Sequence, residues 1–324
     1  MIVAIPFSMR ALVVLVGWYA ASAVAQSVSA PPLETVERIQ AAARTLTFSG
    51  TFVHQQDSSL HTSRIAQLRD GKQTITRVQA LEGHRLEVVR TADETRIYLP
   101  DRQMIKVEKV AQPRAEFPAM FVGSAATVLR NYDVVPGNSM RVANVDAQEL
   151  LFKPRHESRW SVRVWVDKRT SLVVKCQKLD AAGNAVEQAS FTELAWTRPA
   201  FALSVSPSPD AKSWSEFDAT MQPVNGAAPL VFKSDTIKGF EPIGVYERRA
   251  SDQLDIRRYV FSDGIALVSV FVQPKPAKHP LFERVKRRGA TTFVSREIQE
   301  AWVTAMGDVP ADTLQQFIQT IEWK

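Results

Sequence analysis

The chain has 324 residues, of which 45% are hydrophobic and 23% charged, with 13 glycines and a formal net charge of +6. This composition excludes disordered, collagen-like and solenoid classes, and the length exceeds what one hydrophobic core usually organises. Two globular domains are expected, and the modest positive charge favours anionic partners only weakly over a plain solvated surface.

In the first 25 residues Arg10 is the single charge; the apolar run Ala11 to Ala20 follows it, then Ala23-Val24-Ala25. About ten apolar residues fall short of the ~20 that a transmembrane helix needs, and small residues before the cut suit signal peptidase. Residues 1–25 read as a secretory signal peptide cleaved near Ala25/Gln26, whether translation starts at Met1 or Met9. The lone cysteine, Cys176, rules out an intrachain disulfide and a lipid-anchoring cysteine behind the signal peptide. A soluble exported protein is expected, and export argues against a nucleic-acid partner.

After Pro31-Pro32, the segment Leu33 to Thr45 places Leu33, Val36 and Ile39 on one side of a helix. From Leu46 the period changes to two: Leu46, Phe48, Gly50 and Phe52 alternate with smaller or polar residues, predicting a strand with one greasier face. Strand-like runs follow at His61 to Leu68, Thr74 to Val78, Leu86 to Val89, Thr95 to Leu99 and Met104 to Val110, separated by turn signals such as Asp70-Gly71 and Pro100-Asp101. A helix is expected over Ala119 to Arg130. Further strands are expected at Gln148 to Lys153, Trp160 to Val166, Leu172 to Leu179 and Val186 to Leu194, with Leu172, Val174 and Cys176 on one face. One antiparallel sheet could hold them all.

Five prolines between Pro199 and Pro229 mark residues 199–230 as an interdomain linker, dividing a first domain, 26–198, from a second, 231–324. In the second, Leu254 to Phe261 and Ile265 to Val272 flank the hairpin signal Ser262-Asp263-Gly264, and Trp302 to Met306 fits a strand. After Pro310, Leu314, Phe317, Ile318 and Ile321 predict a closing amphipathic helix. This part reads as small and α+β.

No Gly-rich phosphate loop, nucleophile elbow, H-E-x-x-H or paired cysteines are present, so an enzyme loses ground and no cofactor is implied. A turn at Asp57-Ser58 would set His54 opposite His61, but zinc would want further ligands and none is evident. Cys176, mid-strand on an apolar face, reads as a structural thiol. Arg284, Lys286, Arg287 and Arg288 form the densest basic cluster, in a segment read as an exposed loop and a candidate for phosphates or an acidic peptide. Phe48, Phe52, Ile97, Leu99, Met104, Phe117, Met120 and Phe121 either pack solidly or wall a lipid cavity, two alternatives that periodicity does not separate.

The runs FSGTFVHQQ (Phe48 to Gln56), IYLPDRQ (Ile97 to Gln103), RVANVDAQELLFKPR (Arg141 to Arg155), VRVWVDKRTSLVVKCQKLD (Val162 to Asp180) and FTEL (Phe191 to Leu194) together resemble the RseB/MucB family. So do YVFSDGIALVSVFV (Tyr259 to Val272) and GDVPADTLQQFIQTI (Gly307 to Ile321), in the same order. Departures are local: Ser161 stands where glycine is usual, Thr170-Ser171 replaces Thr-Gly at a hairpin, and Thr236-Ile237-Lys238 precedes Gly239-Phe240 where Leu-Pro is common. The resemblance implies an α+β, mainly antiparallel β fold: an unclosed barrel of LolA/LolB type with helices on its concave side, plus a small α+β C-terminal domain. It implies a non-enzymatic periplasmic regulator that binds the periplasmic part of a single-span anti-sigma factor of RseA/MucA type and shields it from site-1 proteolysis. Lipopolysaccharide or mislocalised lipoprotein would release it. A periplasmic lipoprotein or lipid carrier of LolA type is the alternative, and the sequence leaves open whether the chain forms a homo-oligomer.

Overall fold

The computed structural model describes residues 32–109, 113–196, 209–224, 230–232, 237–250, 253–275 and 284–323. The expected signal peptide, residues 1–25, and part of the Pro-rich stretch lie outside them. The first lobe comprises α1 (Pro32–Thr45), β1 (Phe48–Gln56), β2 (Ser59–Asp70), β3 (Gln73–Ala80), β4 (Glu87–Arg90), β5 (Thr95–Leu99), β6 (Met104–Glu108) and α2 (Ala125–Asn131). It continues with β7 (Tyr132–Val142), β8 (Val145–Pro154), β9 (Ser161–Asp167), β10 (Val173–Leu179) and β11 (Ala185–Ala195). Then come the short strands β12 (Ser215–Asp218), β13 (Gln222–Pro223) and β14 (Leu230–Phe232). The second lobe has β15 (Glu241–Ala250), β16 (Gln253–Ser262), β17 (Leu267–Pro274), β18 (Arg284–Arg288), β19 (Thr291–Ile298), β20 (Ala301–Gly307), α3 (Ala311–Gln319) and β21 (Ile321–Trp323).

One open twelve-stranded sheet, in the order β12-β6-β5-β4-β3-β2-β1-β11-β10-β9-β8-β7, holds the first lobe; a seven-stranded sheet, β13-β15-β16-β17-β20-β19-β18, holds the second. Pairing is antiparallel except where β12 lies parallel to β6. The expected single sheet is present, and its first hairpin has the expected register, with His54 directly opposite His61. Val36 and Ile39 of α1 pack with Val128 of α2 onto Phe152, Val162 and Val164. Burying each of these side chains is worth roughly 1.5–3 kcal/mol.

Four expectations are corrected. The helix expected over Ala119 to Arg130 starts only at Ala125: Pro118 and Gly123 interrupt the earlier part, and Ser124 caps the helix by accepting the Thr127 amide at 3.1 Å. Leu33 faces solvent, while Ala42 and Ala43 join Val36 and Ile39 on the buried side of α1. A bulge between Val173 and Lys175 splits the face assigned to β10, sending Val173 and Cys176 into the core beneath the helices and Leu172 and Val174 into a cluster with Phe48, Trp165 and Phe191. The basic segment read as a loop is strand β18, paired with β19 along its length.

The Pro-rich stretch also carries structure in its second half. β12 continues the edge of the large sheet at β6 and β13 pairs with β15 of the small one, so residues 209–224 hydrogen-bond to both.

The two sheets form part of one compact unit. Arg159 and Asp263 are ion-paired with both side chains fully buried. Asp263 also accepts the Tyr132 hydroxyl at 2.8 Å and the amides of Ile265 and Ala266 at 3.0 and 2.8 Å. Asn131 Nδ2 donates to the carbonyls of Asp263 and Gly239, at 2.9 and 3.1 Å. Gly264 takes φ +101°, and a Cβ there would lie 2.9 Å from the Val128 amide nitrogen, so this turn both needs the left-handed region and presses on α2. Replacing one member of such a pair leaves a buried, uncompensated charge. Arg159→Met is therefore expected to lower unfolding free energy by about 3–5 kcal/mol in urea titration; a loss below ~1 kcal/mol would show that Asp263 is satisfied without it.

Candidate functional site

A cavity of about 960 Å³ lies between the inner face of the large sheet and the small sheet. Strand alternation builds its wall. Gly50, Ile65 and Val78 align in register across β1, β2 and β3, and Phe52, His54 and Ala189 continue the same face on β1 and β11. The segment before α2 lays Phe117 over them, its ring centroid 5.4 Å from Phe52 and 4.9 Å from Phe191. Met120 closes another side, and Leu267, Met306, Thr291 and Asp308 enter from the second lobe.

One end is charged. Lys178 Nζ donates to Asp308 Oδ2 at 2.6 Å and Glu187 Oε1 at 3.2 Å, and His54 Nε2 lies 3.3 Å from the same Glu187 oxygen. Asp308 also accepts the Thr291 hydroxyl at 2.6 Å, and Glu187 accepts the Ala290 amide at 3.2 Å. Burial opposes the Lys178 charge, yet Asp308 and Glu187 overcome it and raise its pKa above the ordinary lysine value. Burial would likewise raise the Glu187 carboxyl, but His54, Lys178 and the Ala290 amide outweigh it and hold the group well below the usual carboxylate range. Beside them the Cys176 thiol is pushed up to about 12 by burial, so it lines the cavity as a neutral, unreactive group. At another border Arg90 pairs with Glu116 at 2.6 Å, and Arg114 with Glu108 and Glu116.

The candidate residues separate by geometry. Phe52, Phe117 and Met120 line the cavity. Phe48 is fully buried edge-on to Phe191, and Phe121 stacks at 5.2 Å on Phe152 in the core beneath the helices. Ile97, Leu99 and Met104 are half-buried on β5 and β6, away from the cavity lining. Arg284, Lys286, Arg287 and Arg288 are all exposed on β18, also outside the lining. Sequence reasoning missed Lys178, Glu187 and Asp308. The signal available for Lys178 was its place two residues beyond Cys176 on an otherwise apolar inward face. Among the described residues no trio of His, Cys, Asp or Glu converges as metal ligands, and no helix is long and apolar enough to cross a membrane.

Because Glu187 is held ionised in the fold, its contribution exists above the unfolded carboxylate pKa of about 4.3 and vanishes as pH falls through that value and below. Glu187→Gln should thus be less stable than the parent at pH 7, with the gap narrowing below about pH 4. Urea midpoints measured across that range test this; a gap independent of pH would place the effect in packing rather than charge.

The family model for the MucB/RseB N-terminal domain matches residues 31–212, and that for the MucB/RseB C-terminal domain matches residues 230–322. The chain is 24% identical over 315 residues to the Sigma factor AlgU regulatory protein MucB of Pseudomonas aeruginosa, covering 92% of this chain and 93% of that protein. It is 21% identical over 321 residues to the Sigma-E factor regulatory protein RseB of Escherichia coli K12, covering 94% and 98%. Among solved structures, the Pseudomonas aeruginosa MucA/MucB complex aligns with a TM-score of 0.71 at 22% identity, over 91% of this chain and 99% of that one. A crystal structure of MucB in complex with MucA(peri) aligns with a TM-score of 0.68, at the same identity and coverage. Likeness at that identity establishes a shared fold.

Proposed function

Because the chain belongs to the MucB/RseB family, we propose that it is a periplasmic regulator of an envelope-stress sigma factor, which binds the periplasmic segment of a single-span anti-sigma factor and shields it from site-1 proteolysis. The observation that carries this reading is the match along both lobes to regulators of sigma factors, one of them solved with MucA. In it, the N-terminal signal peptide delivers the chain to the periplasm, and residues 26–198 and 231–324 act as two domains joined through the Pro-rich stretch. Catalysis has no part in it: binding alone blocks the protease.

The cavity supplies the signal input. Its apolar wall suits the acyl chains of lipopolysaccharide or of a mislocalised lipoprotein, and burying ten methylenes is worth roughly 8 kcal/mol before ordering costs. Since both lobes line it, a bound chain touches both, which gives it differential contact with two arrangements of the lobes. A lipid carrier of LolA type would use the same cavity but leaves the second lobe without a task.

Two measurements test the reading. The mature protein should slow cleavage of the anti-sigma periplasmic segment by its site-1 protease at least tenfold at saturation, and unchanged cleavage would refute it. Val78→Trp, which fills part of the cavity from a half-buried position, should weaken binding of a dansylated fatty acid at least tenfold while leaving protection intact; equal probe binding by parent and variant would exclude the cavity as the acyl site.

A further inference from the structure

Strand alternation along β16 puts Ile256 and Arg258 on the face of the small sheet turned toward the first lobe, while Tyr259 and Phe261 pack with α3 on the other. A half-buried arginine thus stands on an inter-lobe face. Its Nε donates to Ser269 Oγ at 3.0 Å, and its guanidinium lies over the Phe271 ring at 5.6 Å. Arg114 approaches it from the first lobe. Burial and the Arg114 charge lower the Arg258 pKa from the ordinary arginine value, against an upward pull from Tyr246 and Glu108.

A cleft of about 430 Å³ opens around these two arginines, walled by β6, by Pro113 to Glu116, by Ala219 and Met221 of the stretch between the lobes, and by β16 and β17. Among the described residues its lining carries four cations, Lys106, Arg114, Arg248 and Arg258, against two carboxylates, Glu108 and Glu116. Glu116 is shared with a fifth cation, Arg90, at 2.6 Å. Glu108 pairs with Arg114 and, at 2.9 Å, with Lys106. Burial would raise the Glu108 carboxyl, yet Lys106, Arg114 and Arg258 hold it below the ordinary carboxylate value, so one carboxylate answers three cations. Ion pairing between the lobes explains one cation for each carboxylate. It does not explain an excess of positive charge in a crevice where burial strengthens the repulsion of like charges.

The cleft also runs into the larger cavity. The two share Arg114, Ala115, Glu116, Arg258 and Leu267, and Phe117, three positions after Arg114, lies over Phe52 in the cavity wall. Cationic crevice and aromatic wall therefore meet along one short segment.

We propose that Arg114 and Arg258 form an inter-lobe anion site, which takes the phosphate group of an amphiphile whose chain lies in the adjoining cavity. One arginine comes from each lobe, so the phosphate replaces their mutual repulsion with charge-assisted hydrogen bonds and ties the lobes together through its oxygens. Lys106 adds charge at the rim. An uncharged lipid of the same chain length would fill the apolar wall but leave the excess charge unanswered. The site thus selects phosphorylated amphiphiles over neutral ones, a selection that rests on the acyl reading of the cavity given under the proposed function.

The test is calorimetric titration of the full mature chain with two lipids of one oleoyl chain, lysophosphatidic acid and monooleoylglycerol, both below their micelle concentrations. Lysophosphatidic acid should bind at least tenfold more tightly. Arg258→Gln should cut that preference below threefold, with the melting temperature reporting on the fold, and Lys106→Gln, at the more exposed rim, should reduce it at least twofold. A preference unchanged in both variants would overturn the proposal. Inorganic phosphate should weaken lysophosphatidic acid binding only at millimolar concentration; phosphate binding as tightly as the lipid would make this a site for the free anion and overturn the link to the cavity. Displacement of the lipid by a decaglutamate peptide at equal concentration would assign the cleft to an acidic chain instead. Proteolysis of the anti-sigma segment separates the two levels. If lysophosphatidic acid is preferred but leaves protection unchanged, the anion site stands and the lipid-signal reading fails; if both lipids bind equally and both abolish protection, the signal reading stands and the anion site is wrong.

Discussion

The Arg159–Asp263 ion pair is the constraint on which the relation between the two sheets depends. Desolvating both charges is expensive, and attraction repays it only when their remaining hydrogen-bonding capacity is filled. Here it is filled: Asp263 accepts the Tyr132 hydroxyl and two amides of its own turn, and Arg159 reaches the Lys238 carbonyl and lies over the Phe240 ring at 4.6 Å. Burial and the neighbouring Asp263 charge raise the Tyr132 pKa well above its usual value, keeping that hydroxyl a donor. A pair of this kind contributes less to net stability than to choosing one arrangement, since any other would leave a naked charge in the core. The cavity, walled from both lobes, exists only in that arrangement.

What the sequence disclosed follows from how local each signal is. Period-two runs and the Asp57-Ser58 turn predicted the first hairpin down to the facing histidines, because turn chemistry and alternation act within a few residues. β7 went unseen since Pro136-Gly137 imitates a loop, whereas the structure absorbs it as a bulge. The basic segment hid as a strand because an edge strand needs only one good ladder and little apolar character. At the Thr170-Ser171 hairpin, Ser171 adopts φ +63°, a left-handed conformation that favours glycine, so the turn forms without one.

The candidate site was legible only in part for the opposite reason. Phe52 and Phe117 could be read as apolar wall candidates, but nothing near Lys178 in sequence announces Asp308, 130 positions away, or marks which greasy residues of one face border a void and which fill a core. Phe48 and Phe52 share a strand face, yet one is sealed against Phe191 and the other lines open space. Packing between residues far apart in sequence decides this: Phe48 and Phe52 join one cluster with Trp165, Leu172 and Phe191, and Phe117 lies over Phe52. The resulting cavity is mixed, with Phe52, Phe117 and Met120 beside the mutually satisfied Lys178, Glu187 and Asp308, and with Arg44, Arg69, Lys72 and Arg258 elsewhere in its lining.

The double attachment of the segment between the lobes has a mechanical consequence. β12 is registered against β6 at four positions from Ser215↔Met104 to Asp218↔Val107, while β13 meets β15 at only two, Gln222↔Glu247 and Pro223↔Tyr246. The segment thus behaves as a zipper with a long and a short track rather than as a slack tether. Pulling the sheets apart peels the short track first, and the long one keeps the strand anchored to the large sheet. Separating the lobes therefore costs the two-position ladder as well as the buried Arg159–Asp263 pair.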